Sequence, residues 1–153
     1  MTRLLGILAR DERGASVIEL ALVAPVFASM LIGMVDISRG YSAKLQLEQA
    51  AQRAIEKVQQ YQTTSSTYST LQDEAATAAG VATSAVTIDY WLECNGARQA
   101  VYDSSCSAGQ SYVRYVTVSI QKVFTPMFGT RYFPGANSNG TYTLTGRAGM
   151  RTQ

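Results

Sequence analysis

Histidine is absent from this 153-residue chain, and cysteine occurs only twice. Without histidine there can be no Ser-His-Asp or Cys-His nucleophile system, no histidine-ligated metal and no imidazole base near neutral pH. Two cysteines alone cannot make a four-ligand zinc site. The 13 basic and 11 acidic residues nearly balance and are spread along the chain, so no basic patch for nucleic acid is indicated. The composition therefore predicts neither an enzyme nor a metal, cofactor or nucleic-acid site.

The apolar residues are concentrated in one run near the N-terminus. Residues 1–14 end in a charged cluster, and residues 15–35, ASVIELALVAPVFASMLIGMV, contain a single charge, Glu19. At about 1.5 Å per residue, a helix over this run crosses the roughly 30 Å hydrocarbon core of a bilayer. The run is longer than the apolar region of a secretory signal peptide, and no Ala-x-Ala site follows it. A transmembrane helix is therefore predicted over residues 15–35.

Glu19 is the informative residue of this run. A carboxylate in an apolar spanning helix is rare unless it has a partner. If the chain were cut after Gly14, the new α-ammonium of Ala15 would lie four residues before Glu19, on the same helix face. The same ammonium on a neighbouring subunit could pair with Glu19 instead and set the axial register of packed helices. The alternative is an interfacial carboxylate on an ordinary, uncleaved single-pass anchor.

Residues 13–58 resemble the TadE-like pseudopilins of the tight-adherence (Flp) pilus system. The resemblance rests on the charged leader, on GASVIEL from Gly14 to Leu20, and on the long apolar run, which together look like a class III signal peptide of type IV pilins. It implies that a prepilin peptidase cuts the bond between Gly14 and Ala15, and that Glu19 serves in assembly. The family's major pilin carries Glu-Tyr where this chain has Glu19-Leu20, and is much shorter. This difference favours a minor pseudopilin.

The resemblance also implies a biological setting. Such a protein is not an enzyme; it lies in the bacterial inner membrane with its N-terminus inside and a periplasmic domain, and it can be incorporated into the pilus. The expected role is the initiation or the tip of Flp pilus assembly and hence cell adhesion. The expected partners are the prepilin peptidase, the major Flp pilin, a sister minor pseudopilin and the inner-membrane assembly platform. The alternative is an uncleaved anchor that presents a binding domain outside the cytoplasm.

The remainder of the chain predicts an α+β fold. Residues 36–60 contain no proline and are rich in helix formers, so the helix should continue as a stem. A stripe at helical spacing should be covered by a domain; it consists of Leu47, Ala51, Ala54, Ile55 and Val58. A polar connector at 62–70, a short helix over 71–79 capped at Thr70 and ended at Gly80, and strands over 86–92, 112–124 and 140–150 are predicted to follow. The arrangement expected is pilin-like, a long helix packed on a small antiparallel sheet of about three strands.

Four segments are thereby predicted: a leader peptide over 1–14, a transmembrane helix over 15–35, a helical stem over 36–60 and an extracytoplasmic domain over 61–153. In such a domain, the pair Cys94 and Cys106 predicts a disulfide rather than a reactive thiol. The segment 125–139 carries clustered apolar side chains, namely Met127, Phe128, Tyr132 and Phe133. These side chains either form an exposed contact surface for a partner subunit or fold back over the sheet.

Overall fold

The computed structural model describes residues 12–60, 68–129, 131 and 134–152. Within this part the chain forms the helices α1 (Glu12–Gln60) and α2 (Tyr68–Ala79) and the strands β1 (Val86–Cys94), β2 (Ala97–Arg98), β3 (Tyr112–Phe124) and β4 (Tyr142–Arg151). The α+β class is confirmed. The predicted leader falls mostly outside the described residues, and its last three residues form the start of α1.

Helix α1 is one continuous element of 49 residues. It contains Pro25, which has no N–H to donate to the carbonyl of Ala21, a loss that a long apolar helix tolerates. The predicted helix over 15–60 is therefore present and begins three residues earlier, at Glu12. From Ser16 to Val35 its side chains are exposed, apart from the half-buried Gly33, so the first half of α1 packs against nothing in the described part of the chain.

The sheet is antiparallel throughout, with the strand order β2-β1-β3-β4. The three predicted strands are all present, and β3 has the predicted bounds, because its alternating β-branched residues place one apolar face toward the helix. The fourth strand, β2, has only two residues, too few to produce a periodic pattern. The last strand begins at Tyr142 rather than at residue 140, because Gly140 has a φ of +77° and belongs to a turn.

The core lies between the stem half of α1 and one face of the sheet. The predicted helical stripe is buried in full, since Leu47, Ala51, Ala54, Ile55 and Val58 are each at most 7% exposed. The sheet contributes Val86, Val116, Val118 and Ile120, and α2 adds Leu71, Ala75 and Ala76. The helix approaches the sheet closely at Gly146, where an added Cβ would lie 2.6 Å from the backbone nitrogen of Glu48. A small core of this kind depends on the helix as its largest single contributor.

Helix α2 begins earlier than its sequence indicated. Thr70 is inside the first turn instead of capping it, because the helix starts at Tyr68. The polar connector predicted over 62–70 lies otherwise outside the described residues. The predicted end at Gly80 is confirmed: its φ is +61°, its N–H donates to Thr77, and the N–H of Val81 donates to Ala76. This is the Schellman arrangement, which satisfies the last carbonyls of a helix.

The two ends of the sheet face opposite ends of the stem. An added Cβ on Gly40 would lie 3.5 Å from the ring of Phe124, at the end of β3, whereas Cys94 of β1 pairs with Tyr112 at the other end. Strand β3 therefore runs antiparallel to α1. The connector between β3 and β4 lies near the apolar half of α1, and the loop after β1 lies far from it.

Candidate functional site: the apolar helix and its exit

The exposed first half of α1 is a candidate functional feature of the chain. In the described residues one helix is long and apolar enough to cross a membrane by length and composition; its stretch is Ser16–Val58, and its most apolar window has a mean hydropathy of 2.2. None of that window is buried by the rest of the protein. A helix that is apolar all round requires an apolar surrounding. The helix is therefore suited to a single-pass membrane protein.

The residues predicted for processing and assembly lie at the start of this helix. The bond between Gly14 and Ala15 is part of α1, within its first turn. Glu19 is exposed, and among the described residues it has no salt-bridge partner. Because both positions are helical, Ala15 and Glu19 lie one turn apart on the same face. The backbone thus has the spacing on which the predicted pairing depends.

Asp36 lies where the apolar segment of α1 ends and binds a distant loop there. The sequence pattern did not single out this residue. Its side chain is buried, with 8% of the residue exposed. The N–H of Met127 donates to both carboxylate oxygens at 2.9 and 2.8 Å, and the N–H of Phe128 donates to Oδ2 at 2.9 Å. The guanidinium of Arg39 approaches to 3.6 Å. One carboxylate thereby joins α1 to a loop 91 residues further along the chain.

These contacts make the carboxylate form of Asp36 favourable. The hydrogen bond from the Met127 N–H is the largest influence and lowers the pKa of Asp36, with further lowering by the Phe128 N–H and by Arg39. Burial acts in the opposite sense and is outweighed. No residue type marks this site in the sequence, because the partners are backbone N–H groups. An aspartate after an apolar run is indistinguishable from the ordinary polar end of a span.

A second contact beside Asp36 fixes the same part of the stem to the sheet. The guanidinium of Arg39 lies 5.8 Å from the centre of the Phe124 ring, and Gly40 leaves room for that ring against α1. The loop after Phe124 is therefore held on the helix by its backbone and by its preceding aromatic residue. Met127 and Phe128 are 65% and 44% exposed, so these two members of the predicted apolar cluster over 125–139 lie at the surface. Tyr132 and Phe133 lie outside the described residues.

The far end of the sheet carries the disulfide. Cys94 and Cys106 are bonded, with their Cα atoms 5.6 Å apart, as the sequence predicts. Near them, Trp91 stacks on Tyr115 at 5.0 Å, and Arg98 lies over Trp91 while it pairs with Asp89 at 2.8 Å. In the described part of the chain, no group of three or more Cys, Asp or Glu side chains is placed to hold a metal ion.

Comparison with known proteins gives one family match, which covers most of α1. Residues 14–55 match the model of the TadE-like protein family. This segment is similar to the TadE-like family. The predicted resemblance is thereby confirmed over 42 of the 153 residues. The TadE-like segment contains Gly14, Glu19 and Asp36 and ends within the buried stripe of the stem. No curated protein and no solved structure matches the chain.

Proposed function

We propose that this protein is a minor pseudopilin of the Tad (Flp) pilus that acts in the initiation or at the tip of pilus assembly and thereby in adherence. The observation that carries the proposal is the TadE-like match over residues 14–55, which implies a protein associated with the Tad pilus. The matched segment contains the predicted cleavage bond, Glu19 and the apolar half of α1. The role is structural rather than enzymatic, because pilus components of this family act by assembly.

The proposed processing step is cleavage between Gly14 and Ala15 by a prepilin peptidase at the cytoplasmic face. The bond lies in the first turn of α1, so the peptidase needs that turn to open. Gly14 favours the opening, since a glycine in a helix costs roughly 0.5–1 kcal/mol relative to alanine. The cut creates an α-ammonium on Ala15, four residues before Glu19. This charge would pair with Glu19 in the same chain or in a neighbouring subunit.

The proposed topology places the N-terminus in the cytoplasm and the sheet in the periplasm. Residues 15–35 then span the inner membrane, residues 36–60 form the stem, and residues 61–153 form the extracytoplasmic domain. The disulfide between Cys94 and Cys106 supports this orientation, since disulfides persist in the periplasm and are rare in the cytosol. The partners we propose are the peptidase, the major Flp pilin, a sister minor pseudopilin and the inner-membrane assembly platform.

The decisive experiment is the intact mass and N-terminal sequence of the membrane-extracted protein, produced with and without its cognate prepilin peptidase. A catalytically inactive peptidase serves as the matched control. We expect a chain beginning at Ala15 only with the active peptidase. A chain that keeps residues 1–14 in all three preparations would contradict the proposal. It would instead support an uncleaved single-pass anchor that presents an extracytoplasmic domain.

A further inference from the structure

We propose that residues 125–129, the first part of the connector between β3 and β4, form a membrane-contacting foot. In this foot, Met127 and Phe128 insert into the outer interfacial layer of the same bilayer that α1 crosses. The inference rests on the proposed function in one respect, namely that α1 spans the membrane. It adds a second point of contact between the protein and the lipid, made by the globular domain.

Asp36 determines the position of the foot relative to the bilayer surface. That residue directly follows the apolar run 15–35, so it lies at the boundary of the hydrocarbon layer when the run spans it. The N–H groups of Met127 and Phe128 are 2.8 to 2.9 Å from its carboxylate oxygens. The backbone of the foot at residues 127 and 128 therefore lies within about 3 Å of the Asp36 carboxylate and close to its level in the bilayer. Phe124 packed at Gly40, about one turn along α1, keeps the preceding strand close to the same level.

In the foot, backbone N–H groups point to Asp36, whereas the apolar side chains lie at the protein surface. The backbone N–H groups of residues 127 and 128 are used by Asp36, whereas Met127 and Phe128 expose 65% and 44% of their surface. The residues flanking Asp36 on α1 are exposed as well, Val35 at 48% and Ile37 at 75%. The foot thus continues the apolar surface of the proposed span. Such a surface is unfavourable in water and favourable at a lipid interface.

The charges near the foot suit a membrane surface. The last acidic residue of the chain is Asp103, so the connector after β3 carries no carboxylate. It carries Arg131, which is exposed, and the side chain of Arg39 beside the foot is 53% exposed. Long basic side chains at this level can reach lipid phosphates while their stems cover apolar surface. The one acid at the site, Asp36, is buried, accepts hydrogen bonds from two backbone N–H groups and pairs with Arg39 at 3.6 Å. Lipid is therefore favoured over a second copy of the chain.

Depth-dependent quenching of tryptophan fluorescence by brominated lipids tests the foot. The chain has a single tryptophan, Trp91, so Trp91→Phe provides the background. In that background the full chain carries one probe: Phe27→Trp in the span, Phe128→Trp in the foot, or Val101→Trp in the loop at the far end. These positions are all exposed, at 62%, 44% and 60%. Each variant is reconstituted at a high lipid-to-protein ratio into vesicles of phosphatidylcholine and phosphatidylglycerol, with or without bromine on the acyl chains.

We expect strong quenching of Phe27→Trp, an about twofold loss of emission for Phe128→Trp, as for an aromatic residue at a membrane interface, and no loss for Val101→Trp. Addition of Asp36→Asn should reduce the quenching of Phe128→Trp and leave that of Phe27→Trp unchanged. Met127→Trp repeats the measurement at a second position, in case Phe128→Trp fails to fold by circular dichroism.

The outcomes separate the foot from the proposed function. If Phe27→Trp is quenched and both foot probes behave like Val101→Trp, α1 spans the membrane and the foot is refuted. If the emission of the foot probes shifts to shorter wavelength but is not quenched by brominated lipid, a second copy of the chain covers these positions. That result also refutes the foot. If Phe27→Trp is itself not quenched, the span fails, and with it both the proposed function and the foot.

Discussion

The carboxylate of Asp36 joins two parts of the chain that are 91 residues apart, and the joining hydrogen bonds favour its charged form. Both N–H donors and Arg39 favour the carboxylate, and they lower its pKa below the ordinary value. For an acid with a lowered pKa in the folded state, the stabilisation is complete above the unfolded pKa, about 3.9 for aspartate. It is lost as the pH falls through the lowered folded pKa. Acidification should therefore favour release of the loop from α1.

The first residue-scale prediction concerns this release. In detergent-solubilised protein, the amide resonances of Met127 and Phe128 should move together on acidification, with a midpoint below about pH 3.9, the ordinary aspartate pKa. In Asp36→Asn the chemical shifts of these two amides should lie nearer to those of the acidified wild-type protein. They should show no such transition, because the asparagine side chain cannot ionise and offers one acceptor oxygen. A midpoint at or above the ordinary value would show that the N–H donors do not stabilise the carboxylate.

Glu19 gives the second residue-scale prediction. Glu19→Ala should remain membrane-bound, because it removes the only charge from the apolar run, yet pilus assembly should be lost because the cleaved N-terminus has no partner. The readouts are membrane fractionation and filament counts by electron microscopy. Glu56→Ala, at an exposed position of the stem, is the matched control and should assemble normally. Unaltered piliation in Glu19→Ala would remove the role assigned to this carboxylate.

At the scale of elements, the contact of α1 with β4 depends on the missing side chain of Gly146. An added Cβ would lie 2.6 Å from both the nitrogen of Glu48 and the Cβ of Leu47, which is closer than real Cβ atoms come. The obstruction is helix backbone, so it cannot swing aside as a flexible side chain would. The helix and the sheet must separate locally, which opens the core at Leu47.

Gly146→Ala should therefore lower the free energy of unfolding by about 2 kcal/mol, as overpacking of a core does. The matched control is Gly129→Ala, since a Cβ at Gly129 meets nothing within 4 Å and its φ is not positive; a change within about 0.5 kcal/mol is expected there. Chemical denaturation in detergent, followed by circular dichroism, measures both. Equal midpoints for the two variants would mean that helix and sheet are not in tight contact at this strand.

The elements that the sequence predicted well are those with a strong repeating pattern. The buried stripe of α1 recurs at helical spacing, and β3 alternates apolar and polar residues from Val116 to Gln121, so both the elements and their buried faces followed from the residues. Strand β2 has two residues and no pattern, and α2 starts two residues before the capping signal at Thr70. The contact of Asp36 with residues 127 and 128 was not predictable, because its donors are backbone groups that every residue except proline carries.

At the scale of the whole molecule, the chain has two halves that obtain their stability from different surroundings. Among the residues that the structure describes, every apolar core residue is numbered 47 or higher, whereas the exposed apolar side chains of α1 begin at Val17 and continue to Val35 before the stem. Within the described part of the chain, the apolar half contributes no side chain to the core, and its apolar surface needs lipid or other apolar helices. The stem belongs to both halves: it continues the apolar helix, and it supplies Leu47, Ala51 and Val58 to the core.

This division predicts that residues 36–153 fold without the apolar segment. The truncated chain should be soluble without detergent, run as a monomer in size-exclusion chromatography and unfold cooperatively by circular dichroism, because its core is intact. Residues 61–153 are the matched control and should fail to fold, since they lack the stem face that covers Val116, Val118 and Ile120. If residues 36–153 aggregated, the apolar segment would contribute to the domain after all. If residues 61–153 folded, the sheet would not need the helix, and the stem would be only a spacer between membrane and domain.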